Sequence, residues 1–598
     1  MNFKYIYIFT LLYSTLLLSS CSHDFLNTDP ATEFSEQAVW SDEALVETYI
    51  NNLYKKLDEP LTDGRGKSMI VDEAHYRGNT ASKNFNNGLI TQDGIPAWNY
   101  SGNYTWDVLY KSIRYCNIFF ENVDRVPFSS NVTDGKTLKD RMTGEVHFLR
   151  AMYYFHLTNI YGGVPIITDV YSLEDDFQIE RSSYEETINF IIDDIDKAVE
   201  LLPVDHSGVN RGRVTKGAAL ALKSRVLLYA ASDLHNVEIF SGYQHQDLIR
   251  YTDNNRTERW LAAKNAAKVV IDMNKYSLYQ PNPASTEEAA ENYFNVFVSK
   301  DTEEDIFVKY FTVSVGQRWG LYTSPNGYHG WGASAPLGNL IDDYEMADGT
   351  KFDWSNPEHA AEPYKNREPR FYGTILHNEA PWRVRPADAQ GMDPDNRIQT
   401  GRREVWNAST NSVDVIYGVD TRNSPIEDWN GSETGYYTKK YLDPNNDAQY
   451  VRQSVTWRFF RYAEILLNYA EACIELGEED EARTYINIVR KRAGLPGINE
   501  TGNALKERYR NERRIEFAFE DHRFFDVRRW VIGDEAYQPA LRADIIYKLN
   551  DDKTTAARPI VAHKVFEERK WVNKMYYFPI LRDEMNKNNL LIQNPSYE

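Results

Sequence analysis

Apolar side chains recur every three or four residues in several long segments of this chain. The five clearest segments are 105–124, 138–161, 182–202, 214–233 and 258–275. Such spacing places the apolar side chains on one side of an α-helix, so each segment is predicted to be an amphipathic helix. In segment 214–233 the small and branched residues predict a face that packs closely against a neighbour.

Residues 457–496 predict an antiparallel helical hairpin. One apolar stripe is predicted on its first helix, formed by Phe459, Ala463, Leu466, Ala470 and Cys473. Gly477 suits the chain reversal, and the second helix is predicted to end near Ala493, before Gly494 and Pro496. The hairpin has about the length of a tetratricopeptide (TPR) repeat, although the full TPR signature is incomplete.

The fold class that follows is mainly α, a right-handed TPR-like stack of helical hairpins around a continuous core. The helices are expected mainly in residues 38–60, 105–275 and 457–530. Two long stretches, 60–104 and 277–455, break the pattern and are rich in Gly, Asn, Asp, Pro and aromatic residues. Loops of this length are usually functional. We expect short strands and turns there, on one face of the stack, forming an irregular ligand-binding region.

The first twenty residues predict a leader for export. Lys4 precedes an apolar stretch over residues 5–18, which is shorter than the about 20 residues of a membrane-spanning helix. Leu18-Ser19-Ser20-Cys21 resembles the bacterial lipobox, in which the cysteine thiol is acylated. We therefore expect removal of residues 1–20, lipidation of Cys21 (by palmitate or a similar acyl chain) and a single mature domain over 21–598. The alternative is a short interfacial helix with a buried cysteine.

Composition narrows the class of partner. The net charge of −21 argues against nucleic acid. The other two cysteines, Cys116 and Cys473, lie in apolar helical contexts and are predicted to be buried thiols. Aromatic residues make up 14% of the chain, with 41 Tyr and 13 Trp, which favours a protein that binds its ligand with rings.

Motifs of known enzyme classes are incomplete or missing. The chain has no His-Glu-x-x-His and no Gly-x-Ser-x-Gly motif, and at 64–68 "GRGKS" follows Leu61 where a phosphate loop needs glycine. The turn "DPNNDAQ" at 443–449 lacks the glycine and distal glutamate of an EF-hand, so a surface turn is favoured over a calcium site. No cofactor and no metal site are predicted, although two carboxylates placed as in a glycosidase are not excluded by sequence.

Six segments in order along the chain resemble the SusD/RagB family, the outer-membrane nutrient-binding lipoproteins of Bacteroidetes. They are "CSHDFLNTDPATEFSEQAVW" at 21–40, "IRYCNIFFENV" at 113–123, "GEVHFLRAMYYFHLTNIYGGVPII" at 144–167, "RYAEILLNYAEA" at 461–472, "ERRIEFAFEDHRFFDVRRW" at 512–530 and "YYFPILRDEMNKNNLLIQNPSY" at 576–597. Gly162, Gly163 and Pro165 suit a turn that closes a helix. The charged residues of 512–530 suit helix-spaced ion pairs with a structural role.

The resemblance implies a surface lipoprotein that is anchored in the outer membrane and faces the cell exterior. It implies no catalysis. Such proteins cover a SusC-like TonB-dependent transporter and hold an oligosaccharide or polysaccharide for import. Three alternatives stay open at this point: capture of peptides as in RagB-type relatives, a surface glycoside hydrolase or lyase, and a purely structural scaffold.

Ligand contacts are predicted in two aromatic clusters, because a sugar ring presents a face of C–H groups that lies flat on an aromatic ring. The resemblance assigns the first cluster, Trp98, Asn99 and Tyr100, together with the upstream polar residues Asp72 and Arg77. The second cluster stands among glycines in the mid-chain loop and comprises Trp319, Tyr322, Tyr328 and Trp331. Trp382 and Trp406 are weaker candidates, and the i, i+4 spacing of Trp106 and Tyr110 predicts core packing instead.

Overall fold

The structure, a computed structural model, describes residues 36–57, 59–62, 64–78, 80–98, 104–172, 174–447 and 449–597. The predicted leader and the predicted lipidation site Cys21 lie outside these residues, as do Asn99 and Tyr100. Within the described ranges, none of the helices combines the length and the apolar character that crossing a membrane requires.

The chain is mainly helical, and the longest helices lie in the segments where the apolar periodicity is strongest. The helices of the first half are α1 (Glu36–Val39), α2 (Glu43–Tyr54), α3 (Thr80–Asn86), α4 (Trp106–Asn122), α5 (Leu138–Tyr161), α6 (Tyr184–Leu201), α7 (Lys216–Ala231), α8 (Arg256–Asp272) and α9 (Thr286–Val298). Those of the second half are α10 (Trp319–Thr323), α11 (Gly338–Asp343), α12 (Pro357–Ala361), α13 (Pro369–Thr374), α14 (Ala387–Gln390), α15 (Tyr462–Glu475), α16 (Glu479–Arg492), α17 (Gly502–Glu516), α18 (His522–Arg529), α19 (Gly533–Ala536) and α20 (Arg582–Lys587).

The long helices form a continuous stack. Helices α4 to α7 each pack against the next helix in the chain, α8 packs against α15, and α15 packs against α16. The C-terminal helices therefore continue the stack at the point where α8 ends. The predicted TPR-like stack of hairpins is confirmed, and the chain between α8 and α15 leaves the stack and returns to it.

Local signals fix the ends of these helices. Ser183 caps α6 and forms a reciprocal capping box with Glu186. Gly162 ends α5 with φ of +80°, and a Cβ atom there would lie 2.4 Å from the carbonyl oxygen of Leu248. Gly477 reverses the chain between α15 and α16 with φ of +78°. The turns predicted at both glycines are confirmed.

The strands are short, and they lie mostly in the two long stretches without helical periodicity. They are β1 (Ala74–Tyr76), β2 (Val132–Thr133), β3 (Lys136–Thr137), β4 (Asp305–Lys309), β5 (Ser334–Pro336), β6 (Ile375–Leu376), β7 (Arg402–Asn407), β8 (Ser412–Tyr417), β9 (Tyr437–Thr438), β10 (Trp457–Arg461), β11 (Ala540–Tyr547) and β12 (Ile560–Glu567). Strands β1 and β5 pair antiparallel, as do β4 and β10, whereas β12, β11, β7 and β8 form a four-stranded sheet in that order.

Two expectations about elements are corrected. Phe459 lies on strand β10 rather than on the first helix of the hairpin, because residues 457–461 pair with β4. The stretch 277–455 also contains α9, a thirteen-residue helix that starts at an N-cap formed by Ser285. Its buried face includes Tyr293, Phe294 and Phe297.

A single large cluster of buried apolar side chains runs from Trp40 to Tyr597 and joins helices and loops. Cys116 and Cys473 are both buried free thiols, as predicted, and burial raises the pKa of each. Trp106 and Tyr110 also pack together in the core, with ring centroids 4.9 Å apart.

The charged residues of 512–530 have a structural role, but Asp526 and Arg529 form a helix-spaced pair whereas Glu516 and others find partners elsewhere. Helix α17 ends at Glu516, and Phe519 and Asp521 then take positive φ before α18 begins. This break separates the side chains that helix spacing would pair. Glu516 instead contacts Arg461 of β10, 2.7 Å away, together with Arg370 of α13 and Arg492 of α16.

These contacts belong to a larger set of buried charges, which we call the core ion network. Its members are Glu304, Glu345, Glu368, Arg370, Lys440, Arg461, Arg490, Arg492, Glu512, Glu516 and Glu520. Burial alone would raise the pKa of Glu516, but Arg492, Arg461 and Arg370 hold it well below its usual range. The network connects helices α16 and α17 of the stack with the loop-rich stretch.

Candidate functional site

Pairing of strands β1 and β5 brings two distant loops together. Tyr76 lies opposite Ser334 in the antiparallel register, and the ladder continues where the Arg77 amide donates to the carbonyl of Ala333 at 2.7 Å. Residues 74–77 therefore lie beside residues 331–336. The upstream polar segment and the mid-chain aromatic segment are parts of one surface.

Two aromatic side chains of this surface are held by local backbone bonds. The Trp331 amide donates to the carbonyl of Leu321 at 2.7 Å, and the Ala333 amide donates to the carbonyl of Tyr322 at 2.7 Å. The ring of half-buried Trp331 meets the ring of Tyr322 edge to face at 5.1 Å. Gly64 packs against the other side of Tyr322 with φ of +64°, where a Cβ atom would lie 2.5 Å from the Tyr322 Cβ.

Polar groups lie beside these rings. Arg77 Nη2 donates to Asn430 Oδ1 at 3.1 Å, and the neighbouring Trp429 is 64% exposed. The Arg65 guanidinium lies 5.9 Å from the ring centre of Tyr76 and 5.8 Å from that of Tyr322. We name this surface the Trp331 face and define it by six residues: Tyr76, Arg77, Tyr322, Trp331, Trp429 and Asn430.

A chain of charged groups runs along the edge of the Trp331 face. His75 Nε2 lies 2.8 Å from Glu433 Oε2, and His75 Nδ1 lies 3.2 Å from Glu567 Oε2. Burial lowers the pKa of His75, but hydrogen bonds to the two carboxylates outweigh burial and raise it above its usual value. Glu433 also pairs with Arg422 at 3.2 Å, so one carboxylate serves two cationic partners.

The Trp331 face is chemically suited to hold a polyhydroxylated ring. The half-buried indole of Trp331 and the exposed indole of Trp429 offer flat apolar surfaces, and Arg77 and Asn430 offer a donor and an acceptor beside them. Within the described ranges, no group of three His, Cys, Asp or Glu side chains is arranged to hold a metal ion. The predicted surface turn around Asp443 is present, since its carboxylate accepts hydrogen bonds from the amide of Asn445 and from Asn446 Nδ2.

Three of the sequence-predicted site residues meet on this surface: Arg77, Tyr322 and Trp331. Tyr322 and Trp331 come from one segment and Arg77 from another, and strand pairing brings the two segments together. Tyr322 is only 8% exposed, so it supports Trp331 more than it offers a free ring. A ligand contact by these residues remains a prediction.

The structure corrects the expectation for three other rings, Trp98, Trp319 and Tyr328, which are at most 2% exposed. Trp98 stacks on Phe524 at 5.7 Å, and Trp319 Nε1 donates to the carbonyl of Lys440 at 3.0 Å. Tyr328 lies beneath the guanidinium of Arg385 at 4.1 Å. Because neighbouring residues cover both faces of these rings, they are core residues and offer no exposed surface on which a sugar could stack.

Asp72 is corrected in the same way. It is 5% exposed and accepts two hydrogen bonds from Arg523, at 3.0 and 2.8 Å, while Arg514 Nη1 lies 3.1 Å away. Burial opposes ionisation of Asp72, but the two arginines lower its pKa to about 2. Asp72 therefore ties the loop that leads into β1 to the last helices of the chain.

The weaker candidates Trp382 and Trp406 lie elsewhere. Trp382 is half-buried with its ring 6.4 Å from that of Phe294, and Trp406 is half-buried on β7 beneath the ammonium of Lys553. The residues that sequence reasoning missed are Trp429, Asn430 and Arg422. Trp429 lies between Asp428 and Asn430 and is followed by Gly431. This is the same pattern of an aromatic residue in a polar, glycine-containing loop that predicted Trp331 as a ligand contact, so the sequence could also have predicted Trp429.

Comparison with known families covers most of the chain. Residues 295–597, slightly more than half of the chain, match the SusD family. Residues 24–228 match a SusD-like family described as starch-binding and associating with the outer membrane. A SusD-like protein of Formosa agariphila is 24% identical over 544 residues, which cover 86% of this chain and 88% of that protein.

Solved structures share the fold. A SusD-like protein from Bacteroides fragilis is 29% identical, with a TM-score of 0.71 over 95% of this chain and 100% of that one. A SusD-like carbohydrate-binding protein from the same species has a TM-score of 0.68 at 23% identity, covering 92% and 99% of the two chains. A laminarin-binding SusD-like protein has a TM-score of 0.60 at 19% identity, covering 93% and 100%. The fold and the family matches agree with the resemblance read from the six segments, and the chain belongs to the SusD family.

Proposed function

We propose that this protein captures glycans outside the cell and passes them to a SusC-like TonB-dependent transporter in the outer membrane. Acyl chains on Cys21 anchor it in that membrane, with the Trp331 face directed to the exterior. Capture does not alter the ligand chemically. Support comes from the SusD family, from a matching family described as starch-binding, and from relatives described as binding carbohydrate or laminarin.

One observation carries the proposal. The half-buried indole of Trp331, braced edge to face by Tyr322, lies beside the hydrogen-bonded pair of Arg77 and Asn430. A sugar ring stacked on the indole places its equatorial hydroxyls at the rim, where Arg77 donates and Asn430 accepts. Rigid aromatic rings provide contact area with little loss of conformational entropy, so the platform is already formed before the ligand arrives.

The test is titration calorimetry of the mature chain with a panel of oligosaccharides and, separately, with peptide mixtures. We expect binding of a glycan and at least a tenfold loss of affinity in Trp331→Ala. Trp406→Ala is the matched control, because it removes a half-buried indole on strand β7, and it should bind like the parent. Binding of peptides alone, or equal binding by both variants, contradicts the proposal.

Two further measurements address anchoring and catalysis. Cys21→Ala should move the protein from the outer-membrane fraction to the soluble fraction and abolish incorporation of labelled palmitate. Incubation of the parent protein with each bound polysaccharide should release no new reducing ends. Release of reducing ends contradicts capture without chemical change. If Glu433→Gln abolishes that release, the activity is located at this surface, where Glu433 is the carboxylate nearest to His75.

A further inference from the structure

The charge of the Trp331 face differs from that of the whole protein. The chain carries a net charge of −21, which repels polyanions at long range. Yet three arginines lie on or beside this face: Arg65 near the ring of Tyr322, Arg77 on Asn430, and Arg422 on Glu433. Their partners decide whether they can take up a further anion.

Arg77 has a neutral partner where an arginine usually has an anionic one. Its Nη2 donates to the amide oxygen of Asn430 at 3.1 Å. Its Nη1 is shielded from solvent and has no acceptor among the described residues. Burial lowers the pKa of Arg77 and the nearby charge of Arg422 lowers it further, while Tyr437, Glu433 and Tyr76 oppose this shift. A buried donor without an acceptor costs free energy, and a ligand that accepts a hydrogen bond from it removes that cost.

The carboxylates nearby are already engaged. Glu433 accepts from His75 at 2.8 Å and pairs with Arg422 at 3.2 Å. Glu427, on the adjoining loop, accepts from Asn430 Nδ2 at 2.9 Å. Arg422 is 41% exposed, so its remaining donors are open to a molecule from solution. The nearby carboxylates therefore leave capacity for one more anion beside Arg77 and Arg422.

We infer that the Trp331 face selects an acidic glycan, whose carboxylate or sulfate group binds between Arg77 and Arg422 while a sugar ring stacks on Trp331. Guanidinium groups match both anions because their planar donors form paired hydrogen bonds with two oxygens. Arg422 is then a specificity residue, since it contributes charge at the edge of the face rather than stacking area. The inference rests on the proposed glycan-binding function and narrows its substrate class.

Matched polymers test the substrate class. The carboxylate arm compares polygalacturonate with fully methyl-esterified pectin, and the sulfate arm compares dextran sulfate with dextran. In each pair the backbone is the same and only the charge differs. Affinity electrophoresis and calorimetry in 50 mM and 300 mM NaCl should show about tenfold tighter binding of one acidic member, weakened by salt. The arm that shows the difference identifies the anion.

Variants separate specific recognition from general attraction. Arg77→Gln and Arg422→Gln should each lose about tenfold in affinity for the acidic polymer and little for any neutral one. Arg558→Gln is the control, because Arg558 is 73% exposed and pairs with Glu362 away from the two arginines. Arg422 lies at the surface, so Arg422→Gln should unfold at the same temperature as the parent. The test therefore still holds if Arg77→Gln proves to be destabilised.

The outcomes distinguish the two proposals. Equal binding of the charged and neutral members, or acidic binding unchanged in both glutamine variants, overturns the inference and leaves glycan capture intact. Acidic binding that survives Trp331→Ala also overturns it, because the anion is then attracted without stacking. If the parent binds no glycan of any panel, neutral or acidic, the proposed function fails and the inference fails with it.

Discussion

Arginine occupies two contrasting regions of this molecule, the core ion network and the Trp331 face. In the network Arg370, Arg461 and Arg492 are almost fully buried, and each contacts at least two carboxylates. On the face Arg77 has a neutral amide partner and Arg422 shares one carboxylate with a histidine.

The difference lies in what each region must hold. The network joins helices α16 and α17 to β10, α13 and the loop-rich stretch, and each of these charges contacts an opposite charge within the protein, although Arg492 Nε has no hydrogen-bond partner among the described residues. Burying ions is costly, so such a network is tolerated when every charge finds partners. Guanidinium groups on the face have spare donors and partial solvent access, which is the condition for binding something from outside. The same residue type therefore fixes architecture in one place and offers recognition in the other.

The largest effect is expected from breaking the network. Glu516→Gln removes the charge that faces Arg370, Arg461 and Arg492, and it leaves three buried guanidinium groups short of an anion. We expect a loss of about 3–5 kcal/mol in the free energy of unfolding, measured by denaturant titration.

The control is Glu507→Gln on the same helix. Glu507 is 61% exposed and pairs only with Arg510 in the described structure, so its loss should change stability by less than about 0.5 kcal/mol. Similar stabilities for the two variants contradict the view that the network holds the loop-rich stretch on the stack.

Two tryptophans test the contrast between core and face. Trp98→Ala deletes a ring that packs on Phe524 and Phe578, and it should cost about 3–5 kcal/mol in the free energy of unfolding. Trp331→Ala should cost about 1 kcal/mol, because its ring is only partly buried, yet it should abolish most glycan affinity. Thermal unfolding and calorimetry on both variants measure the two quantities. If Trp331→Ala unfolds as easily as Trp98→Ala, the Trp331 face is part of the core.

Much of the fold was open to prediction from sequence, because helix periodicity is a local property. The segments predicted for α4 to α8 agree with the structure to within about three residues at each end, and Gly162 and Gly477 mark real turns. The site was less accessible. The resemblance suggested Trp98, the glycine-rich mid-chain loop suggested Trp319 and Trp331, and only the packed structure shows that two of the three are covered.

The reason is that burial in a loop depends on distant partners. Trp98 is covered by Phe524 and Phe578, more than 400 positions later in the chain. Asp72 likewise finds Arg523 through tertiary packing. Neither contact can be recognised from the residues that neighbour it in the sequence. Strand pairing between 74–76 and 334–336 is also non-local, so the meeting of Arg77 with Trp331 required the structure.

A buried carboxyl beside the face predicts a dependence of stability on pH. Glu73 is fully buried next to β1, and neither carboxylate oxygen has a hydrogen-bond partner among the described residues. Burial, and then the charge of Asp72, raises its pKa to about 8, although Arg514 and Arg523 oppose this. The folded state therefore binds the proton more tightly than the unfolded state does, and this contribution to stability is lost as pH rises from about 4.5 through 8.

Glu73→Gln removes that titration. Its stability relative to the parent should rise by a few kcal/mol between pH 5 and pH 8, because only the parent must bury a charge at the higher pH. Denaturant titrations of both proteins at pH 5, 6.5 and 8 measure the difference. Glu121→Gln, an exposed change on α4, should show no such trend. A constant difference between Glu73→Gln and the parent across this range contradicts a neutral buried Glu73.

The smallest effect is expected at the margin of the Trp331 face. Trp429 is 64% exposed and immediately precedes Asn430, the partner of Arg77. Because its ring has little packing to lose, Trp429→Ala should leave the unfolding midpoint unchanged, whereas loss of its contact area should weaken binding of a long glycan about threefold to tenfold. A short ligand that reaches only Trp331 should bind equally well to parent and variant. Calorimetry with a series of oligosaccharides of increasing length measures where the two proteins diverge, and that length gives the extent of the face. Identical affinities at every length place Trp429 outside it and restrict recognition to the rings and arginines around strand β5.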